Sequence, residues 1–288
     1  MSIIENTKKN LIIEMGGTKI NFFLVEQSGR YSKYSISTST PIFFKDYVFK
    51  KFSGNNIRKI ILGCFGPMSL GKNNYGEILN TPKKDWRNAN IFKWLKDNIC
   101  EDIRLFSDVA LPAFGAMNKY RLQENFFTYI TVGTGIGGCS IFRGMILQNE
   151  FHSEMGHMYL GYSDAKICEY HSHCFENQSS GHYFSSRYKL KFKDIDTSSP
   201  ESSEMIGKLA ILLYNLYAAT GVEYIVLGGG LIREDMKYQL IRSLVKINNS
   251  YLPVVNKKNF DQRLILDSNS DDLSLEGGMY SLNGNDLN

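Results

Sequence analysis

Residues 10–25 read Asn-Leu-Ile-Ile-Glu-Met-Gly-Gly-Thr-Lys-Ile-Asn-Phe-Phe-Leu-Val. Two apolar runs flank the turn Gly16-Gly17-Thr18-Lys19. That pattern predicts two strands joined as a hairpin whose tip is bare backbone. It returns at Tyr129–Val132, Gly133-Thr-Gly-Ile-Gly-Gly138 and Cys139–Phe142. After the first hairpin come a strand near 32–37, a buried-type strand Lys59–Gly63 closed by Gly66-Pro67, and helical spacing over 90–99. A strand at 103–106 and a small-residue helix at 109–120 follow. After the second come a loop-like polar stretch at 194–204, a helix at 206–220, and a strand Tyr224–Leu227 ended by Gly228-Gly-Gly230. Residues 232–248 read as a further helix, and the tail after Leu282 is polar. Strands alternating with helices, twice over, predict two similar α/β halves facing each other across a cleft. Residues 1–108 form the first domain in this reading and 109–270 the second, with the hinge near Asp108.

The chain has 288 residues, 43% hydrophobic, with a net charge of +4. That suits one large or two medium domains with a real core. The basic residues are scattered; the richest run, Lys45–Lys59, is interleaved with Phe, Gly and Asn and reads as a solvated face rather than a nucleic-acid patch. Residues 1–10 are polar, and no early apolar run approaches the roughly 18 residues that span a bilayer. The expectation is a soluble cytoplasmic protein that engages small molecules, neither membrane nor nucleic acid. Of the five cysteines, Cys64, Cys100 and Cys139 sit in apolar runs and read as inert core residues.

Cys168 and Cys174 belong to the pattern H-x10-C-x2-H-x2-C, formed by His157, Cys168, His171 and Cys174. Two thiolates and two imidazoles are a donor set that Zn²⁺ takes in a closed tetrahedral site. Glu154 and Glu176 bracket the pattern, so a metal-stiffened loop here can hold polar groups for a small polar substrate. Spacing alone leaves open a surface loop of unrelated cysteines and histidines. Gly16-Gly17-Thr18-Lys19 offers unblocked N–H groups, a hydroxyl and a cation, the parts of a phosphate site. It lacks Walker A spacing. Gly133-Thr134-Gly135-Ile-Gly137-Gly138 is a second such loop, and is not a dinucleotide fingerprint because a strand follows it. Gly228-Gly229-Gly230 is a third. All three end strands, where ligands of α/β folds collect, so a nucleotide site is predicted. Asp108 also follows a strand and precedes a helix. It either caps that helix or acts as a general base on a substrate hydroxyl.

Together these residues resemble the ROK family (repressor, open reading frame, kinase) of the actin-like ATPase, ribonuclease H-like fold, and within it the zinc-containing bacterial fructokinases. Ile13–Lys19 is similar to the family's first phosphate motif, with Glu14 where related glucokinases carry Asp. Gly63-Cys-Phe-Gly66-Pro67 resembles its sugar-side turn. Tyr75-Gly-Glu-Ile-Leu-Asn-Thr81-Pro82-Lys83-Lys-Asp-Trp86-Arg87 resembles its Y-G-x-I-x-x-T-P-K-x-x-W segment. Ser107-Asp108-Val109 is similar to the catalytic segment, and Glu154-Met-Gly-His157 to the E-M-G-H that binds sugar and zinc. Cys168, His171 and Cys174 match the other zinc ligands, and Glu176 the sugar carboxylate that follows. The match runs in order over residues 10–245.

The resemblance implies a hexose kinase that makes fructose 6-phosphate from fructose and ATP, with Asp108 as base. It assigns Gly66, Pro67, Thr81–Lys83, Glu154, His157 and Glu176 to the sugar, and the three glycine loops (Gly16–Lys19, Gly133–Gly137, Gly229-Gly230) to Mg-ATP. It implies a structural Zn²⁺, domains that close on the sugar, a first domain completed by residues near 270–288, and a homodimer. Family repressors carry a DNA-binding segment before the first phosphate motif, for which this sequence leaves no room, so repression is not expected. Some positions depart. The family's D-V-N-A-A-A-L-G-E reads Asp108-Val-Ala110-Leu-Pro112-Ala-Phe-Gly-Ala116 here, and its G-L-A-S-G-P-A after the second Glu reads Asn177-Gln-Ser-Ser-Gly-His-Tyr183. Only Gly277 and Gly278 remain of a C-terminal glycine-alanine helix. The departures are compatible with another acceptor, sugar or other hydroxyl compound, or with a weakened kinase that senses sugar or nucleotide. Retention of Asp108, both glutamates, the four zinc candidates and Lys19 favours an enzyme.

Overall fold

The computed structural model describes residues 8–284. The chain divides into two compact units. Unit one comprises Met1–Asn118, Gln148–His152 and Asp272–Asn288; unit two comprises Lys119–Leu147 and Ser153–Asp271.

Unit one holds the strands β1 (Lys9–Met15), β2 (Lys19–Val25), β3 (Tyr31–Ser37), β4 (Ile57–Cys64) and β5 (Ile103–Ser107) in the order β3-β2-β1-β4-β5. β1, β4 and β5 are parallel, while the β1–β2 and β2–β3 pairs are antiparallel. β1 lies inside the sheet with both faces covered, so it reads as a continuous apolar run. Leu11, Ile13 and Met15 face one core with Phe44 and Val48 of helix α1 (Pro41–Phe52) and Leu95 of α2 (Ile91–Asn98). Ile12 faces the other with Phe23, Ile61 and Leu111. α1 starts where Thr40 accepts from Phe43 N–H at 3.2 Å and Pro41 takes the first turn. Its Lys50 and Lys51 are exposed, while Lys45 is half-buried. On the second face lie α3 (Ala110–Lys119) and, after the elements of unit two, α8 (Ser270–Leu282). A Cβ on Gly115 would overlap the Leu273 carbonyl, and one on Gly277 the Leu111 carbonyl. Residues 148–152 join unit one through Leu70 N–H, which donates to Glu150 O at 2.9 Å.

Unit two repeats the topology with β6 (Phe126–Val132), β7 (Ile136–Phe142), β8 (Met145–Ile146), β9 (Tyr224–Gly228) and β10 (Leu264–Asp267), ordered β8-β7-β6-β9-β10. Substituting β6 to β10 for β1 to β5 reproduces the first sheet, so the internal echo in the sequence is an echo in the fold. Its helices are α4 (Glu176–Ser179), α5 (Gly181–Tyr188), α6 (Pro200–Thr220) and α7 (Lys237–Asn248).

Three sequence expectations change. α6 begins at Pro200, inside the stretch read as a loop: Ser199 accepts from Ser202 N–H at 3.2 Å and Pro200 fills the first helical position. The serines that suggested a loop are the helix start signal. α7 begins at Lys237 rather than 232, because Ile232 N–H closes a turn on Gly229 O at 3.0 Å and residues 234–236 form a 3₁₀ turn. Cys100 is half-buried, whereas Cys64 and Cys139 are in the core as expected. Among the described residues no helix is long and apolar enough to cross a membrane.

Candidate functional site

In unit one three neighbouring parallel strands end in line, since Met15 pairs with Cys64 and Cys64 with Ser107. The segments that leave them are hydrogen-bonded in a row. Phe65 N–H donates to Met15 O at 2.9 Å and Asp108 N–H to Cys64 O at 3.0 Å. The Gly16–Lys19 turn, the Gly66-Pro67 turn and Asp108 therefore share the carboxyl end of one sheet. Burial pushes the Cys64 thiol well up, and the nearby Asp108 charge adds to it, so a neutral thiol lies beside the carboxylate. The first glycine turn is closed by Gly16 N–H on Lys19 O (3.0 Å) and pinned to Thr38, whose hydroxyl donates to Gly16 O at 2.8 Å. Gly17, Thr18 and Lys19 are exposed.

Thr81, Pro82 and Lys83 come to the Gly66-Pro67 turn through Leu79 N–H, which donates to Pro67 O at 2.7 Å. Phe65 and Trp86 stack edge to face at 5.4 Å beneath this cluster. Thr81 is buried, with its carbonyl held by Arg87 Nε at 2.8 Å, while Pro82 is exposed. Lys83 lies over the Phe65 ring at 5.9 Å, and burial lowers its amine below the usual lysine range.

A polar ladder in this sheet is absent from the sequence reading. Asn21, 1% exposed, donates through Nδ2 to Glu14 Oε2 at 2.9 Å and accepts from Ser35 Oγ at 3.0 Å. The signal was available: an Asn within Ile-Asn-Phe-Phe-Leu-Val is a poor strand former whose buried amide needs partners.

In unit two the turn between β6 and β7 is closed by Gly133 N–H on Gly135 O at 2.9 Å. Gly229, with φ of 96°, packs its backbone on the Val132 carbonyl, and Leu231 N–H donates to Val132 O at 3.0 Å. The second and third glycine loops thus meet where the parallel strands β6 and β9 end. A Cβ on Gly230 would enter open space. Gly137 pairs with Thr131, and the exposed Thr134 accepts from His182 N–H at 3.2 Å through its carbonyl. The Glu154–His157 segment folds as a 3₁₀ turn against the start of β7: Gly156 has room for no side chain over Ile136 O, nor Gly138 under Met155.

Glu176 opens α4 and reaches back to the glycine turn. Its Oε2 accepts from Ile136 N–H at 2.9 Å, and its Oε1 lies 3.9 Å from His157 Nε2. A Cβ on Gly135 would land on Oε2. Gly135 is therefore glycine for the sake of a glutamate 41 positions later in the chain.

The other face of His157 belongs to a cluster that can hold a metal ion. His157, Cys168, His171 and Cys174 present donor atoms that all lie within 4.8 Å of one another. A tetrahedral ion with Zn–N of about 2.05 Å and Zn–S of about 2.3 Å calls for about 3.3 Å between two nitrogens and about 3.6 Å between nitrogen and sulfur. The separations are 3.3 Å between the two Nδ1 atoms, and 3.6 and 3.7 Å from Cys168 Sγ to His157 and His171. The residues fit zinc. Burial pushes the Cys174 thiol up to about 11, partly offset by Asn177 N–H on Sγ at 3.4 Å, so a thiolate here calls for a cation. His157 divides its ring: Nδ1 toward the donor set, Nε2 toward Glu176.

The profile of the ROK family matches residues 10–282. A fructokinase of Lactococcus lactis subsp. cremoris is 30% identical over 249 residues, which cover 83% of this chain and 85% of the relative. The crystal structure of a ROK hexokinase from Thermus thermophilus superposes with a TM-score of 0.71 at 20% identity, covering 96% of this chain and 99% of that one. A ROK family glucokinase from Streptomyces griseus, solved in complex with glucose and AMPPNP, gives a TM-score of 0.69 at 18% identity over 94% and 97% of the two chains. With two sheets of identical strand order, each carrying a glycine turn at the same place, and with this match over nearly its whole length, the chain has the actin-like ATPase fold and belongs to the ROK family, among its sugar kinases.

Proposed function

We propose that this ATP-dependent sugar kinase phosphorylates fructose, giving fructose 6-phosphate and ADP. The observation that carries the reading is the row of segments at the carboxyl end of the first sheet. Asp108 stands there beside the Gly66-Pro67 turn and in line with the Gly16–Lys19 turn, so a carboxylate and a glycine turn share the carboxyl end of one sheet, which supports a base beside a phosphate site. The fructokinase relative supports fructose as the acceptor.

In this reading Asp108 takes the proton from the sugar 6-hydroxyl as O6 forms its bond to the γ-phosphorus and the bond to the β-phosphate oxygen breaks. The turns formed by Gly16–Lys19, Gly133, Thr134, Gly135, Gly137, Gly229 and Gly230 serve the nucleotide through backbone N–H groups other than those of Gly16 and Gly133, which close the turns themselves, and Lys19 adds a positive charge. Mg²⁺, entering with ATP, supplies neutralisation of the phosphate charge. Glu154, the Nε2 side of His157 and Oε1 of Glu176 serve sugar hydroxyls, together with Gly66, Pro67 and Thr81–Lys83. His157, Cys168, His171 and Cys174 would hold a structural Zn²⁺, which fixes the ring that presents Nε2.

A different hexose is the second reading, favoured by Ala110. This residue opens α3, is fully buried, and is apolar where the family pattern has Asn. An ATP-consumption assay on zinc-loaded protein with Mg²⁺, across free hexoses and amino- and N-acetyl-hexoses, separates the two. Turnover highest on fructose is expected. Turnover on another hexose alone overturns fructose and keeps the kinase; none on any hexose overturns the hexose kinase.

A further inference from the structure

Asn177 follows Glu176 directly and is 0% exposed. Its Oδ1 accepts from the N–H groups of Ile167 and Cys168, at 2.7 and 3.0 Å. Its Nδ2 donates to Ala165 O at 3.0 Å and to Ser172 O at 2.7 Å. Two donors and two lone pairs are the full capacity of an amide side chain, and all are used on one loop.

That loop needs an organiser. Residues 161–172 contain no helix or strand, yet they supply Cys168 and His171. The other two donors have frames of their own: His157 ends a 3₁₀ turn, and Cys174 pairs with Tyr159 in a β-bridge just before α4. Asn177 grips the Cys168 N–H itself and the carbonyl of the residue after His171. It anchors the irregular half of the donor set to the helical segment that carries Glu176.

We propose that Asn177 is a positioning residue for the metal centre, holding Cys168 and His171 where the ion is received, so that the protein frame and not the ion assembles the loop. The inference rests on the metal reading given under the proposed function. Donors held in advance spare the ion the ordering of a flexible segment, so affinity rises through preorganisation. The bonds lie in a buried setting, where an amide with every bond made is rigid and one with bonds missing is costly.

The test is zinc affinity by competition with a chromophoric chelator, on the full chain and on Asn177→Ala, well below the melting range. Affinity should fall by about 10- to 100-fold, the usual cost of losing a residue that supports a metal ligand. Lower thermal stability alone, with affinity unchanged, overturns the inference and leaves the zinc reading standing. A wild-type chain that binds no zinc overturns both. Should Asn177→Ala fail to fold, hydrogen exchange on metal-stripped wild type decides: Ile167 and Cys168 amides stay protected if Asn177 holds the loop, and exchange like open chain if the ion did.

Discussion

Replacing Gly135 by alanine tests the link between the second glycine turn and Glu176. The new Cβ would meet Oε2 and lie 3.2 Å from the carboxyl carbon of Glu176, and its three nearest neighbours all belong to that carboxylate. The obstacle is the tip of a flexible side chain, and the backbone of Gly135 does not have a positive φ, so the fold survives and the carboxylate moves. It then loses the bond from Ile136 N–H at 2.9 Å and its place 3.9 Å from His157 Nε2. A hydrogen bond to a charged group contributes about 1.5–3 kcal/mol. A loss of about 2 kcal/mol lowers the unfolding midpoint by roughly 4–8 °C in a unit of this size. If Glu176 holds the acceptor sugar, the same displacement costs about 30-fold in kcat/KM for the sugar. Differential scanning calorimetry and initial-rate kinetics read both numbers. Gly17→Ala is the control, because a Cβ there meets nothing within 4 Å, and its midpoint should match wild type. Wild-type stability and wild-type acceptor kinetics in Gly135→Ala would refute the reasoning.

Asp108→Asn should lower kcat by about 10²-fold or more, the scale of a lost general base, while calorimetric ATP affinity holds; near-normal turnover would remove Asp108 from the chemistry. Gly277→Ala should destabilise unit one by about 2–3 kcal/mol or more, because its Cβ would press on backbone, the Leu111 carbonyl and Gly115 N, which cannot swing aside; a midpoint unchanged in denaturant titration would contradict the close approach of α3 and α8. Asp267 gives a pH prediction. Burial pushes its carboxyl up, but Lys119 at 2.7 Å, Tyr120 at 2.8 Å and Asn269 N–H at 3.0 Å outweigh that and hold it below the usual range. A depressed carboxyl stabilises fully above the unfolded value of about 4 and loses that contribution as pH falls through the folded value. Asp267→Asn should therefore be less stable at neutral pH and show a flatter acid limb below about pH 4; parallel stability–pH curves would count against it.

The two glycine hairpins were legible because Gly-Gly-Thr-Lys and Gly-Thr-Gly-Ile-Gly-Gly each interrupt apolar runs, and local chemistry alone fixes a hairpin there. The cluster of four candidate metal donors was legible as well, since three of them lie within seven residues. What escaped is set by partners distant in sequence. Asn21 is an intermediate case: its place in an apolar strand announces a need for a partner, and the hairpin register sets Glu14 opposite it, but Ser35 on the third strand is not signalled nearby. Nothing in Glu176-Asn177 announces that one side chain turns to Ile136 and the other to residues 165–172. The bulkier, more polar stretch after Glu176 suggested altered specificity, but at Asn177 its bonds run into the metal loop and not toward solvent.

The same distinction runs through the glycines. Gly17 and Gly133 have open space where a side chain would be, so packing does not require glycine at either. A requirement there would have to come from a ligand's approach, as a phosphate-binding turn predicts. Gly135, Gly138 and Gly156 are crowded, by Glu176, Met155 and the Ile136 carbonyl respectively. They are glycines because the carboxylate and the Glu154–His157 turn must lie against β7. On the proposed reading, one motif in unit two carries two requirements: bare backbone for a nucleotide, and absent side chains for the residues assigned to the sugar and the metal. Substitutions at Gly133 should then act on nucleotide affinity with little change in stability, and those at Gly135 on stability and acceptor binding together.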